Sequence, residues 1–127
     1  MDTIESLVQP VLAISAETPI DEVGRLLVDH RVPALAVVDG ANHLRGLVTR
    51  TDVLRALDEE LATAGDAMTW LVFSLPAGSD VERAAALMAY EGVGQVLVVG
   101  RRGELVGIVS ALDVARHYAS HSGFSST

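Results

Sequence analysis

Two short stretches place a hydroxyl three residues ahead of a carboxylate: Thr49-Arg50-Thr51-Asp52 and Ser110-Ala111-Leu112-Asp113. Each follows a glycine and two apolar residues, Gly46-Leu47-Val48 and Gly107-Ile108-Val109. The spacing is that of a capping box at the start of a helix. The hydroxyl accepts from a backbone N–H three residues on, and the carboxylate accepts from the N–H of the capping residue. Such a cap stabilises a helix by about 1 kcal/mol and would by itself explain these residue types. A carboxylate, however, has about four acceptor sites, more than one cap uses. The spare sites can receive hydrogen bonds from a ligand, and a helix N-terminus offers N–H groups and a positive dipole end to an anion.

Other candidate groups are unevenly spread. Arg50 lies inside the first pattern, where the second has Ala111, and His30-Arg31 is answered by Glu91-Gly92. Cationic groups that could read phosphate are therefore concentrated in the first copy. His117 and His121 have the i, i+4 spacing of helical metal ligands. No acidic third ligand accompanies them, and a solvated helix face explains them. His30 and His43 lie near turns, and a surface position is the default for both. Trp70 is expected to anchor the start of a strand rather than stack on a base. Arg101-Arg102 falls in a turn, and Asp58-Glu59-Glu60 reads as a solvated helix end. No P-loop, G-x-G-x-x-G or G-x-S-x-G elbow is present, and no nucleophile–base–orienter set is visible. The expectation is no catalytic residue, no metal and no enzyme activity of the chain's own.

The elements that must position these groups are repeated. Asp113 follows Asp52 by 61 residues, and the same shift aligns Leu26 with Leu87, Val37-Val38 with Val98-Val99, Leu44 with Leu105 and Arg55 with Arg116. Chance matches scatter over many shifts; these share one. Each copy opens with an apolar run, Val11 to Ile14 or Val72 to Leu75. A helix of about three turns is expected next, entered by capping boxes at Thr18-Pro19-Ile20-Asp21 and Ser79-Asp80-Val81-Glu82, with Pro19 at the first helical position. Two β-branched runs follow, split by Asp39-Gly40-Ala41-Asn42 or by Gly100-Arg101-Arg102-Gly103, which is hairpin chemistry. A closing helix starts at Thr49 or Ser110. Each copy is thus β-α-β-β-α, and the boundaries expected are 1–62 and 63–127. Asp58 to Gly65 reads as a helix end and linker, Asp66-Ala67-Met68-Thr69 as a short helical turn, and Ser120 to Thr127 as a frayed tail. A lone copy would leave a sheet face uncovered, so the pair is the expected folding unit.

Composition narrows the setting. Half of the 127 residues are hydrophobic and only 4% are aromatic, so the core must be aliphatic. A net charge of −8 disfavours nucleic acid, whose phosphates attract the opposite sign. All basic residues are Arg, a phosphate-compatible side chain. No apolar run approaches the ~20 residues of a membrane span. There is no Cys, hence no disulfide and no thiolate chemistry. With the acidic opening Met1-Asp2-Thr3-Ile4-Glu5, these features point to the cytoplasm.

The two-copy arrangement, with Gly-apolar-apolar-Thr/Ser-x-x-Asp at each last junction, resembles the cystathionine-β-synthase (CBS) domain family over nearly the whole chain. Asp66-Ala67-Met68-Thr69 and His30-Arg31-Val32-Pro33-Ala34-Leu35 also fit the family pattern. The resemblance implies an α+β fold, a tandem CBS-domain pair with pseudo-twofold symmetry known as a Bateman module. It further implies clefts for an adenosine-containing ligand: AMP, ADP, ATP, S-adenosylmethionine or a cyclic dinucleotide. The motif Asp would hold ribose hydroxyls and the motif Thr or Ser would contact ribose or phosphate. Carried over, Thr49 and Asp52 define one cleft, and Ser110 and Asp113 the other. By the same analogy Val11, Leu12, Val32, Pro33 and Ala34 wall the Asp113 cleft, and Val72, Phe73, Val93, Gly94 and Gln95 wall the Asp52 cleft. No cofactor is implied as a requirement. The partners implied are an adenosyl small molecule, a second copy in a homodimer and a regulated protein. The family's usual Pro before the Val-Val pair is replaced by Ala36 and Leu97, which restores a strand donor. The alternative reading is a CBS pair that dimerises or binds protein without nucleotide.

Overall fold

The computed structural model describes residues 2–70 and 72–121. The side chain of His121 and the expected frayed tail from 122 lie outside the described residues. The chain forms two compact units, each with a three-stranded sheet. One comprises the described residues of 11–72 with 103–105 and is called the Asp52 unit; the other comprises those of 2–10, 73–102 and 106–121 and is called the Asp113 unit.

The Asp52 unit runs β1 (Ala13–Ile14), α1 (Ile20–His30), β2 (Ala34–Val38), β3 (Leu44–Thr49), α2 (Arg50–Asp58) and α3 (Ala64–Ala67). β2 is central, parallel to β1 and antiparallel to β3. The register sets Ala34 opposite Thr49 and Leu35 opposite Val48. Residues 34–37 are all buried, so this strand is apolar without alternation, as a sheet covered on both faces requires. Ile20, Val23 and Leu27 bring the apolar stripe of α1 onto this sheet, and Val53 and Ala56 bring that of α2. At the β2–β3 turn, the Asp39 carboxylate accepts from the backbone N–H of Ala41 (2.9 Å) and of His43 (3.0 Å). Those bonds, that from His43 foremost, lower the Asp39 pKa below its ordinary value.

The Asp113 unit repeats the order with β4 (Ser74–Pro76), α4 (Val81–Glu91), β5 (Gln95–Val99), β6 (Leu105–Ser110) and α5 (Ala111–His121). β5 lies between β4 and β6. Its core is aliphatic, with Val96, Val98 and Val109 fully buried, and it includes Ile4 from a short 3-10 turn, Ile4–Leu7.

The compact units therefore differ from the sequence copies. Residues 2–10 fall in the first expected stretch, 1–62, yet belong to the Asp113 unit: Ile4 N donates to Ser79 O (2.8 Å), and Gln9 pairs with Ile108. Residues 63–69 fall in the second expected stretch, 63–127, yet belong to the Asp52 unit, where Thr69 pairs with Leu47.

These docked segments also overturn an expectation about helix entry. The capping boxes at Thr18 and Ser79 do not form. The N-caps are Pro19 and Asp80, one residue later, and neither makes a side-chain cap bond. Backbone carbonyls of the docked segments serve instead: Ile20 N donates to Ala62 O (3.0 Å) and Val81 N to Asp2 O (3.1 Å). Pro19 thus lies outside the helix, and Asp21 and Glu82 are too early to close a box. Ser79 Oγ is left buried with no partner among the described residues. The turn expected over Asp66–Thr69 is likewise displaced: α3 starts at Ala64, with Thr63 as its cap and Asp66 closing the box.

Close approach of these segments depends on two glycines. A Cβ at Gly46 would lie 2.8 Å from both Met68 Sδ and Thr69 O; at Gly107 it would lie 2.5 Å from Gln9 O. A Cβ at Gly40 would meet nothing within 4 Å. Gly46→Ala and Gly107→Ala should each destabilise the fold by about 1–3 kcal/mol through overpacking, and Gly40→Ala should not. Urea unfolding of the three variants checks this ordering.

Candidate functional site

Both hydroxyl–carboxylate pairs sit where a strand passes directly into a helix: β3 ends at Thr49 and α2 begins at Arg50; β6 ends at Ser110 and α5 begins at Ala111. Thr49 is in extended conformation and makes the full capping box with Asp52. Asp52 Oδ2 accepts from Thr49 N (2.8 Å) and Thr49 Oγ1 (3.0 Å), and Asp52 N donates back to Thr49 Oγ1 (3.2 Å). At the other junction Asp113 Oδ2 accepts from Ser110 N (3.1 Å) and Ser110 Oγ (2.8 Å), with Asp113 N donating to Ser110 Oγ (3.1 Å). The expected boxes at these two junctions are therefore both present.

Around Asp52 the structure adds residues that the motif did not identify. Thr69 Oγ1 lies 3.3 Å from Asp52 Oδ1. Arg55 Nη2 lies 3.7 Å from the same oxygen and donates to Ala67 O at 2.7 Å. Asp52 is 8% exposed, whereas Asp113 is half-buried. Thr69 had a faint signal in sequence, as the last residue of Asp66-Ala67-Met68-Thr69. Its contact with Asp52 spans 17 positions and no local pattern encodes it.

The remaining candidates are spread over both units. Ala34 is buried and in register with Thr49, and Pro33 is exposed just before it. Val11, Leu12 and Val32 are half-buried in the same unit, where Leu12 O accepts from Ala36 N (2.9 Å). His30 is exposed at the end of α1. Val72 is half-buried and outside any strand; β4 begins later than expected, at Ser74. In the Asp113 unit Phe73 O accepts from Leu97 N (3.0 Å), and Gly94 O accepts from Ala111 N (2.8 Å), the first residue of α5. Val93 and Gln95 are half-buried on either side of Gly94.

Arg31 and Arg50 are brought together, on a groove of about 440 Å³ between α1 and α2 that is otherwise lined by Gly24, Leu27, Val28, Val53 and Leu54. Arg31 caps α1 in the left-handed region at φ 53°, where its counterpart is Gly92 at φ 69°. A non-glycine residue there costs on the order of 1 kcal/mol. Trp70 is 74% exposed and anchors no strand, contrary to expectation. It follows Thr69, whose backbone is committed to Leu47, and no core cluster includes it. His117 is mostly buried, with Nε2 3.3 Å from Asp2 Oδ2, so the expected solvated face is wrong for it. The docked N-terminal segment supplies that partner. No cluster of metal-ligating side chains is found among the described residues, and no helix there is long and apolar enough to cross a membrane.

The fold and both junctions define a pair of CBS domains. The CBS domain pattern matches residues 4–59 and again 64–120, and the chain belongs to this family. An inosine-5'-monophosphate dehydrogenase of Korarchaeum cryptofilum is 32% identical over 108 residues, covering 85% of this chain. The match spans only 22% of that enzyme's length. The crystal structure of CBSX2 from Arabidopsis thaliana in complex with AMP has a TM-score of 0.86 at 25% identity, covering 96% of this chain and 99% of the other. The cytosolic domain of the Mg2+ channel MgtE in complex with ATP has a TM-score of 0.83 at 27% identity, covering 91% of this chain and 48% of that one.

The two carboxylates should differ in structural importance. Asp52→Ala should cost about 2 kcal/mol, from the cap and the lost Thr69 bond, and Asp113→Ala about 1 kcal/mol, from the cap alone. Equilibrium denaturation gives both values; equal losses would show that Thr69 adds nothing.

Proposed function

We propose that this chain is a regulatory module that binds an adenosine-containing ligand through Asp52 and Asp113. The observation that carries the reading is the repeated capping box, which fixes a carboxylate at a helix N-terminus in each unit. The carboxylate suits vicinal ribose hydroxyls, because two charge-assisted hydrogen bonds form without further charge burial. Thr49 and Ser110 stand next to ribose or phosphate. Val11, Leu12, Val32, Pro33 and Ala34, with Val72, Phe73, Val93, Gly94 and Gln95, supply apolar walls and backbone partners for adenine. Arg31 and Arg50 line the α1–α2 groove and His30 is exposed at the end of α1, so the ribose contacts carry the reading and the phosphate contacts do not. The AMP and ATP complexes of the related structures support the ligand class.

Thermal unfolding with AMP, ADP, ATP and S-adenosylmethionine tests this. A ligand at about 100 times its Kd stabilises by roughly 2.7 kcal/mol and raises Tm by several degrees. No shift with any of the four at millimolar concentration overturns the reading.

A second reading, association with another copy, is favoured by the α1–α2 groove. Val28, Leu54 and Leu57 are 75%, 67% and 63% exposed. Val28 and Leu54, which both line the groove, suit a protein contact more than water. Val28→Asp with Leu54→Asp should convert a homodimer to monomer by sedimentation velocity, with the far-UV circular dichroism unchanged.

A further inference from the structure

The two candidate carboxylates have the same cap but different spare capacity. Asp113 Oδ2 takes both Ser110 donors, and no hydrogen bond from the described residues reaches Asp113 Oδ1. Asp52 takes the matching pair from Thr49 on Oδ2. In addition, Thr69 Oγ1 lies 3.3 Å from Oδ1 and 3.4 Å from Oδ2, and Arg55 Nη2 is 3.7 Å from Oδ1. A vicinal diol needs two acceptor positions. Among the described residues Asp113 Oδ1 meets no donor, whereas Asp52 Oδ1 already meets the Thr69 hydroxyl and faces the Arg55 guanidinium.

Thr69 is fixed in this position by its backbone. Thr69 N donates to Leu47 O (2.8 Å) and Leu47 N to Thr69 O (3.1 Å), a close pairing that the missing side chain of Gly46 permits. In the Asp113 unit the same ladder position belongs to Gln9, which exchanges hydrogen bonds with Ile108 (2.8 and 2.9 Å). Gln9 is exposed and its side chain makes no bond to Asp113 among the described residues. One docked segment therefore carries a hydroxyl into the carboxylate, and the other does not.

We propose that Thr69 is a latch that closes the Asp52 carboxylate to vicinal hydroxyls, so that the Asp113 site fills first. The Asp52 site fills only when Thr69 turns its hydroxyl away. This rests on the nucleotide reading above and assigns its order of occupancy. The Arg-rich first copy would suggest the opposite order, but Arg31 and Arg50 line the α1–α2 groove. Arg55 strengthens the closure, since its bond to Ala67 O ties Asp52 to α3, a few residues before Thr69.

The test is titration calorimetry of the full chain with AMP. Asp113→Asn should abolish the tighter binding event and Asp52→Asn should keep it; both keep the size of the capping side chain. In the Asp113→Asn background, Thr69→Val removes the hydroxyl at nearly constant shape and keeps the pairing with Leu47. It should tighten the remaining event about five- to tenfold, the worth of one hydrogen bond. Thr69→Ser keeps the hydroxyl and should change that event less than twofold. Trp70, the only tryptophan and the next residue, gives an independent readout. Its emission should change as AMP fills the Asp52 site of Asp113→Asn. If Asp52→Asn abolishes the tighter event, or Thr69→Val leaves the remaining event unchanged, the latch is overturned while nucleotide binding stands. If no variant binds AMP, ADP, ATP or S-adenosylmethionine, the nucleotide reading fails and takes the latch with it.

Discussion

Each unit depends on a strand that becomes a helix with no residue in between. Such a junction leaves the first helical N–H groups without partners and must reverse the backbone from extended to helical in one step. Thr49 with Asp52, and Ser110 with Asp113, solve this locally by mutual hydrogen bonding. The consequence for function is positional. A carboxylate that must cap the helix cannot wander, so its remaining oxygen capacity is held at a defined place beside the strand edge. The proposed ligand role would be a second use of the same group.

The outer edge of β3 and of β6 is the second determinant. A docked segment pairs there with Leu47 or Ile108, and the glycine next in line lets its backbone come close. The segment comes from the other copy's stretch of chain, so each compact unit contains residues from outside its own repeat. The same docking supplies the carbonyls that cap α1 and α4, which is why the side-chain boxes at Thr18 and Ser79 are absent. It also delivers Thr69 to Asp52. Helix entry, core closure and the state of the candidate site are thus governed by residues 62–69 in one unit and by residues 2–10 in the other.

Belonging to the CBS family settles architecture more than ligand. The related structures with AMP and with ATP share the fold at 25% and 27% identity, and each ligand is a property of that protein. In this chain the donors around Asp52, and their absence at Asp113 Oδ1 among the described residues, distinguish the two junctions. Arg50 against Ala111 distinguishes them too, yet the structure places Arg50 with Arg31 on a helix groove.

The sequence by itself determined the repeat, the element order and the two capping boxes at Thr49 and Ser110. All three are local or periodic: an apolar run, a turn residue or a hydroxyl–carboxylate spacing is written within a few positions and repeated in register. It could not show that residues 2–10 complete the Asp113 unit, that Pro19 and Asp80 replace the expected caps, or that His117 is paired with Asp2. Nor could it show that Asp52 is already bonded to Thr69, because that contact joins residues of ordinary type at a separation no pattern records. The tertiary structure alone decided these matters. Segments distant in sequence compete for the same unsatisfied backbone groups, and only packing decides which of them is near enough to bond.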